Sequence, residues 1–194
     1  MGAKTFVFFG IAGSGKGTQV KLLSDFLSAR GGESVYAGTG EAFRKMMSSD
    51  DFTSTIVREK VARGEYIDDF LTNTIFTNIL TTSLTPEKSL FADGYPRTVP
   101  QAGEFEAMMK FFKRDQVSIV YIEVGKEESI RRNKLRARAD DTDAGLESRY
   151  NEYMTKVIPA MNYFKDKPGY TIYTINGEQS IEDVHQELIA KLAL

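Results

Sequence analysis

Residues 10–19, Gly-Ile-Ala-Gly-Ser-Gly-Lys-Gly-Thr-Gln, follow an apolar run, Thr-Phe-Val-Phe-Phe, and precede a segment with Val20, Leu22, Leu23, Phe26 and Leu27 at helical spacing. Strand, glycine turn and helix in that order form the context a phosphate-binding loop requires. The glycines let consecutive backbone N–H groups turn toward one point, a concavity suited to an anion. The following helix adds its unpaired N–H groups and the positive end of its dipole. Gly13, Ser14, Gly15, Lys16, Gly17 and Thr18 are therefore the residues expected at a polyphosphate, with the Lys16 ammonium as a mobile charge for its outer groups. The general pattern G-x-x-x-x-G-K-[ST] fails only at its last position. There Gly17 stands in place of a hydroxyl, which comes one residue later at Thr18.

The rest of the chain alternates in a way that extends this start. Residues 34–37, 89–92, 117–122 and 170–175 read as further strands, of which Val-Ser-Ile-Val-Tyr-Ile at 117–122 is the clearest. A continuous β-branched run of that kind belongs in a strand buried on both faces. Helical spacing is expected from Thr39, over 54–63, from Asp68 as a cap to about residue 83, over 101–113, from Lys126, after Asp141 with a bend near Pro159, and over 181–192. Five strands alternating with helices predict one α/β domain over 1–194, a five-stranded parallel sheet with helices on both faces. The excursion over 39–68 is the one candidate for a small helical sub-domain. Ligands of such sheets bind outside the carboxyl ends of the strands. That rule gathers the glycine loop, Thr39, Asp93, Gly94 and the segment after Glu123 around one crevice.

A net charge of −2 on 194 residues argues against a general nucleic-acid or membrane-surface binder. The absence of cysteine rules out disulfides and a thiolate zinc site. No apolar run reaches membrane-spanning length and the first residues lead straight into a strand, so a cytoplasmic setting is expected. The single histidine, His185, lies far from the glycine loop in sequence, and no Ser-His or Cys-His pair is available. Basic residues instead collect around the motifs. Asp93 ends a buried strand, where a magnesium ion is held or oriented through water in phosphoryl-transfer enzymes. Arg97 follows Pro96, which aims its guanidinium from a stiffened turn, and arginine grips a phosphate with two parallel hydrogen bonds. Arg132 and Arg136 share a helix face. Arg138 lies about 200° further round than Arg136 on an ideal helix, so the helix must end between them if both reach one phosphate chain. Transfer to an acceptor that is already anionic needs positioning and charge neutralisation rather than a general base. Composition and spacing thus lead to a nucleotide-dependent phosphotransferase.

Nearly end to end, the chain resembles the adenylate kinases. The Gly-Lys-Gly-Thr-Gln ending of the loop, the Thr39-Gly40-Glu41-Ala42-Phe43-Arg44 segment, and Asp93-Gly94-Tyr95-Pro96-Arg97-Thr98-Val99-Pro100-Gln101 are similar to motifs of that family. The resemblance implies a P-loop kinase fold with an AMP-binding insertion, and magnesium-dependent, zinc-free transfer from ATP to AMP giving two ADP. It implies AMP contacts from Thr39, Gly40, Arg44, Tyr66, Ile67, Gly94, Arg97 and Gln101, the glutamine reading adenine. It implies Arg132 on the ATP base with Gly177 beside it, and Arg136, Arg138 and Arg149 around the transferring phosphates. Asp140 and Asp141 match its Arg-x-Asp-Asp pair, and the resemblance implies a catalytic set of Lys16, Arg97, Arg136, Arg138 and Arg149, with Arg136 also on ATP and Arg138 and Arg149 also on AMP. Thr98 with Gln101 favours AMP over the UMP/CMP kinases, which remain the nearest alternative; a nucleotide sensor with weak transfer is a more distant one.

Two departures stand out. Ala12 replaces the family's usual loop proline. Only Ala137 separates Arg136 from Arg138, where the family carries a lid over ATP, so the lid is reduced to about 136–138 and the protein is expected to be essentially lidless. A neighbouring subunit in a homo-oligomer is then expected to cover the ATP side.

Overall fold

The computed structural model describes residues 2–136 and 143–194. Five parallel strands form one sheet in the order β2-β3-β1-β4-β5: β1 (Thr5–Phe9), β2 (Ser34–Gly38), β3 (Ser89–Asp93), β4 (Val117–Glu123) and β5 (Tyr170–Asn176). All five residues of β1 are buried, because β3 and β4 flank it and helices cover both faces. Side chains alternate across a strand. Phe6 and Phe8 accordingly enter one core with Val20, Leu23 and Leu27 of α1 (Lys16–Ser28) and Val184, Leu188 and Leu192 of the C-terminal helix Ile181–Leu192. Val7 and Phe9 enter the other with Phe76, Leu80, Phe105, Met109 and Phe164.

The excursion after β2 forms α2 (Thr39–Met46) and α3 (Phe52–Ala62). Their Phe43 and Val57 form a small apolar cluster with Ile67 of the following loop, against which Leu71 and Ile75 pack from α4 (Asp69–Ser83). Two helix starts and one cap differ from the sequence expectation. Asp51 caps α3 by accepting from Ser54 N at 2.9 Å, so this helix begins earlier than residue 54. Asp68 precedes α4 but makes no cap through its side chain, which pairs with Lys60 Nζ at 2.7 Å. Then α5 (Val99–Phe111) starts ahead of residue 101, since Thr98 Oγ1 accepts from Gln101 N and Pro100 suits a first turn that needs no N–H from it.

Beyond β4 come α6 (Lys126–Arg136) and α7 (Asp143–Glu152). The expected bend is a π-helical turn, Tyr153–Val157, leading into α8 (Ile158–Asn162). Pro159 lacks the N–H that would close an α-helical bond there, and the chain widens just before it. The closing helix is α9 (Ile181–Leu192). No helix among the described residues is long and apolar enough to cross a membrane.

Candidate active site

A cleft of about 1110 Å³ opens at the carboxyl ends of β1, β2 and β3, where the sheet rule places a ligand. Its floor is the glycine loop. Gly13 and Gly15 have φ of 81° and 94°, values that a side chain strains to adopt. Gly15 sits at the N-cap of α1 with no side-chain cap, and the first turn of α1 holds no acid. The helix therefore presents its N-terminal N–H groups without a carboxylate competing for them. Lys16 Nζ donates to the carbonyls of Gly10 at 2.6 Å and Ile11 at 2.9 Å, which folds the ammonium over the loop. Ser14 is buried, whereas Gly17 and Thr18 are exposed on the cleft.

The opposite wall comes from β3 and the insertion. Arg97 Nε donates to Gly94 O at 2.7 Å, and its guanidinium carbon lies 4.6 Å from the centre of the Tyr66 ring. A Cβ on Gly94 would stand 2.8 Å from Arg97 Nη2, and the residue has φ of 76°, so only glycine leaves room for this arrangement. Thr39 Oγ1 donates to the same Gly94 carbonyl at 2.8 Å, tying α2 to the end of β3. Gly40, Arg44, Tyr66 and Ile67 line the cleft beside Arg97. Burial pushes the Tyr66 hydroxyl up from its ordinary pKa, with the nearby Arg97 charge opposing that shift.

Arg132, on α6, and Arg149, on α7, reach the same cleft, and Gly177 lines it from the turn after β5. Arg132 Nε donates to Glu128 Oε1 at 2.6 Å. Hydrogen bonds from Arg131 and Arg132 hold the Glu128 carboxyl down at about 2. Arg136 ends α6. Arg138, Asp140, Asp141 and the side chain of Arg136 lie outside the described residues.

Gln101 is placed differently from the other expected contacts. Its side chain is buried away from the cleft, with Oε1 accepting from Arg97 N at 2.7 Å and Nε2 donating to Asp69 Oδ1 at 2.9 Å. Asp69 Oδ2 also accepts from Thr98 Oγ1 at 2.7 Å, so one carboxylate of α4 braces the whole Arg97 turn. Asp69 was not singled out by any motif. Neither was Tyr36, whose hydroxyl donates to Asp93 Oδ2 at 3.1 Å across the mouth of the cleft. Burial first, and the Asp93 charge second, raise the Tyr36 pKa. The ring lies over Gly38, where a Cβ would come within 2.4 Å of it.

No group of three or more histidine or acidic residues able to cage a metal occurs among the described residues. Thr18 and Asp93 nevertheless give the cleft a hydroxyl and a carboxylate. Hard oxygen donors in that small number suit a magnesium ion that arrives with phosphates and keeps most of its water.

The family model for adenylate kinase matches residues 8–168. The chain belongs to the adenylate kinase family. With membership comes the reaction of that family, reversible phosphoryl transfer from ATP to AMP giving two ADP. An adenylate kinase of Prochlorococcus marinus is 28% identical over 190 residues, covering 98% of this chain and 99% of its own. One from Parabacteroides distasonis is 30% identical over 182 residues, covering 92% of each. The alignment to an adenylate kinase of Thermosipho africanus, 27% identical, runs over 214 residues and covers 94% of this chain and 96% of the relative. That span exceeds the 194 residues present here, so the Thermosipho protein carries a stretch with no counterpart in this chain.

Proposed function

We propose that the glycine loop and Lys16 hold the ATP phosphates, and that Arg44 and Arg97 hold the phosphate of AMP. The observation that carries this reading is convergence. Lys16, Arg44, Arg97, Arg132 and Arg149 come from five separate segments and all line one cleft. The Lys16 ammonium, on its flexible stem, exchanges the Gly10 and Ile11 carbonyls for phosphate oxygens when ATP enters. Arg97, braced by Gly94 and Tyr66, offers the rest of its planar fork to the acceptor phosphate. The acceptor's phosphate oxygen forms its bond to the γ-phosphorus as the bond to the bridging oxygen of ADP breaks. Arg149, with Arg136 and Arg138, neutralises charge on the group in flight. Thr18 and Asp93 would hold magnesium through its water. That ion supplies further neutralisation of the donor phosphates when bound.

Tyr66 and Ile67 bound the AMP base and ribose, and Gln101 reads adenine after exchanging one of its present partners. Arg132 and Gly177 flank the ATP base. The working setting is the cytoplasm, and neither nucleic acid nor membrane is a partner. ADP disproportionation, followed by acceptor competition, tests the assignment. AMP is expected to exceed CMP and UMP in kcat/KM by about 10² or more, because a buried amide left unpaired by the wrong base opposes binding. Equal use of UMP or CMP would overturn the adenine role of Gln101. With the lid reduced to about 136–138, a second subunit covers the ATP side. Sizing at assay concentration is expected to give an oligomer, and a monomer with negligible ATP hydrolysis in the absence of AMP would refute that cover.

A further inference from the structure

The inner face of α6 is polar where a helix packed on a domain usually presents leucine or isoleucine. Ser129 and Asn133, one turn apart, are 2% and 1% exposed. Both donate to one acceptor, the carbonyl of Ala12 in the glycine loop, Ser129 Oγ at 2.8 Å and Asn133 Nδ2 at 2.9 Å. Asn133 Nδ2 also donates to Ser129 O at 2.8 Å, which fixes the amide against its own helix. The loop also passes close to this pair at Gly13, where a Cβ would stand 2.8 Å from Asn133 Nδ2 and 3.0 Å from Ser129 O. None of the roles assigned above to ATP, AMP or the transferring group uses either side chain.

We propose that Ser129 and Asn133 are positioning residues that clamp the Ala12 carbonyl and so hold the glycine loop in its phosphate-binding shape. The carbonyl of Ala12 and the N–H of Gly13 belong to one planar trans peptide, so pinning the oxygen toward α6 turns that N–H the opposite way. Ile11 O accepts from Ser14 N at 3.1 Å within the loop, but the side-chain bonds to the two carbonyls before Ala12 are less durable. Gly10 O and Ile11 O are bonded by the Lys16 ammonium, which must leave them to engage phosphate. The clamp on Ala12 involves no group that a nucleotide takes, and it persists through binding. Ala12 itself brings no restraint, since alanine leaves φ free where proline would fix it. The helix that clamps the loop is also the helix that carries Arg132, so the phosphate floor and the Arg132 wall of the cleft are set by one element. A loop fixed before the ligand arrives binds more tightly, because less ordering remains to be done.

The inference rests on the glycine loop being the ATP-phosphate site. The test therefore measures equilibrium binding of two ligands, without turnover, for the wild-type chain, Ser129→Ala, and Ser129→Ala with Asn133→Leu. Calorimetric titration with the β,γ-imido analogue of ATP is expected to show about tenfold weaker binding for the double variant and a smaller loss for Ser129→Ala, in line with loss of buried hydrogen bonds. AMP affinity, which depends on the opposite wall, is expected to stay within about twofold. Unchanged analogue affinity in both variants would overturn the proposal, as would equal losses for the analogue and AMP, which indicate general loosening. Should the double variant not fold, the Ser129→Ala comparison decides in the same way. A wild-type chain that binds AMP but not the analogue would instead refute the loop as the ATP site.

Discussion

Replacing Arg97 by lysine separates charge from geometry at the proposed acceptor-phosphate site. Lysine keeps one positive charge but loses three things. It has no donor at the Nε position for Gly94 O, no planar face for the Tyr66 ring, and no second prong for a phosphate. A lost charge-assisted hydrogen bond costs about 1.5–3 kcal/mol, and the ring contact contributes roughly 0.5–1 kcal/mol. The sum, about 2–4 kcal/mol, corresponds to a fall of about 30- to 700-fold in kcat/KM for AMP at roughly 1.4 kcal/mol per tenfold. Stability is expected to change little, because Gly94 O retains Thr39 Oγ1 as a donor at 2.8 Å and is not left unpaired. Steady-state rates with AMP varied at saturating ATP, beside a thermal melt, make the measurement. A change below about fivefold, or a melting temperature that collapses, would refute the reasoning and make Arg97 a peripheral or structural residue.

Tyr36→Phe removes the hydroxyl on Asp93 and leaves that carboxylate to rotate. The KM for ATP and the magnesium requirement are expected to rise by about fivefold, the scale of one partly solvated hydrogen bond, with the KM for AMP unchanged; equal effects on both nucleotides would contradict this. The α3 cap should respond to acid. The Asp51 pKa is lowered from 3.8 by hydrogen bonds from the Ser54 backbone and side chain, so its contribution to stability is present above that value and is lost as pH falls through the lower folded value. Urea unfolding of wild type and Asp51→Asn between pH 2 and pH 6 should show a stability gap that closes at the acid end, and a constant gap would argue against it.

Much of this cleft can be read from the chain because the residues that shape its floor and wall sit in tight spacing constraints. The loop needs glycine at 13 and 15 for positive φ, Gly94 must be glycine for Arg97 to lie across it, and β1 must be apolar on both faces. Each requirement marks the sequence at a fixed offset. The residues that hold these groups obey no such offset. Ser129 and Asn133 look like ordinary polar positions in a charged helix until α6 docks against Ala12, more than a hundred residues earlier in the chain. Their only local signal is the four-residue spacing of two uncharged polar side chains among charged ones. Tyr36 sits on edge strand β2 and carries no motif; what aims it at Asp93 is the missing side chain of Gly38 beneath its ring.

Gln101 shows the same division within one residue. The motif Asp-Gly-x-Pro-Arg-Thr-x-x-Gln marks it as a base reader, yet its amide is engaged at both ends, by Arg97 N and by Asp69. For Nε2 or Oε1 to meet adenine, one of these bonds must be exchanged, and the exchange is nearly neutral only if the base offers a matching acceptor or donor. The Asp69 carboxylate tolerates the loss of Nε2 because Thr98 Oγ1 still donates to it. Among the described residues the Arg97 N–H has no such second acceptor, so the economical exchange gives up Asp69 and keeps Arg97. Under the proposed roles, the amide that reads the base then stays bonded to the backbone of the residue that grips the phosphate. On that proposal, selectivity for adenine and placement of Arg97 are coupled through that one 2.7 Å hydrogen bond, and a base that cannot repay the loss of Asp69 is expected to weaken the phosphate grip as well.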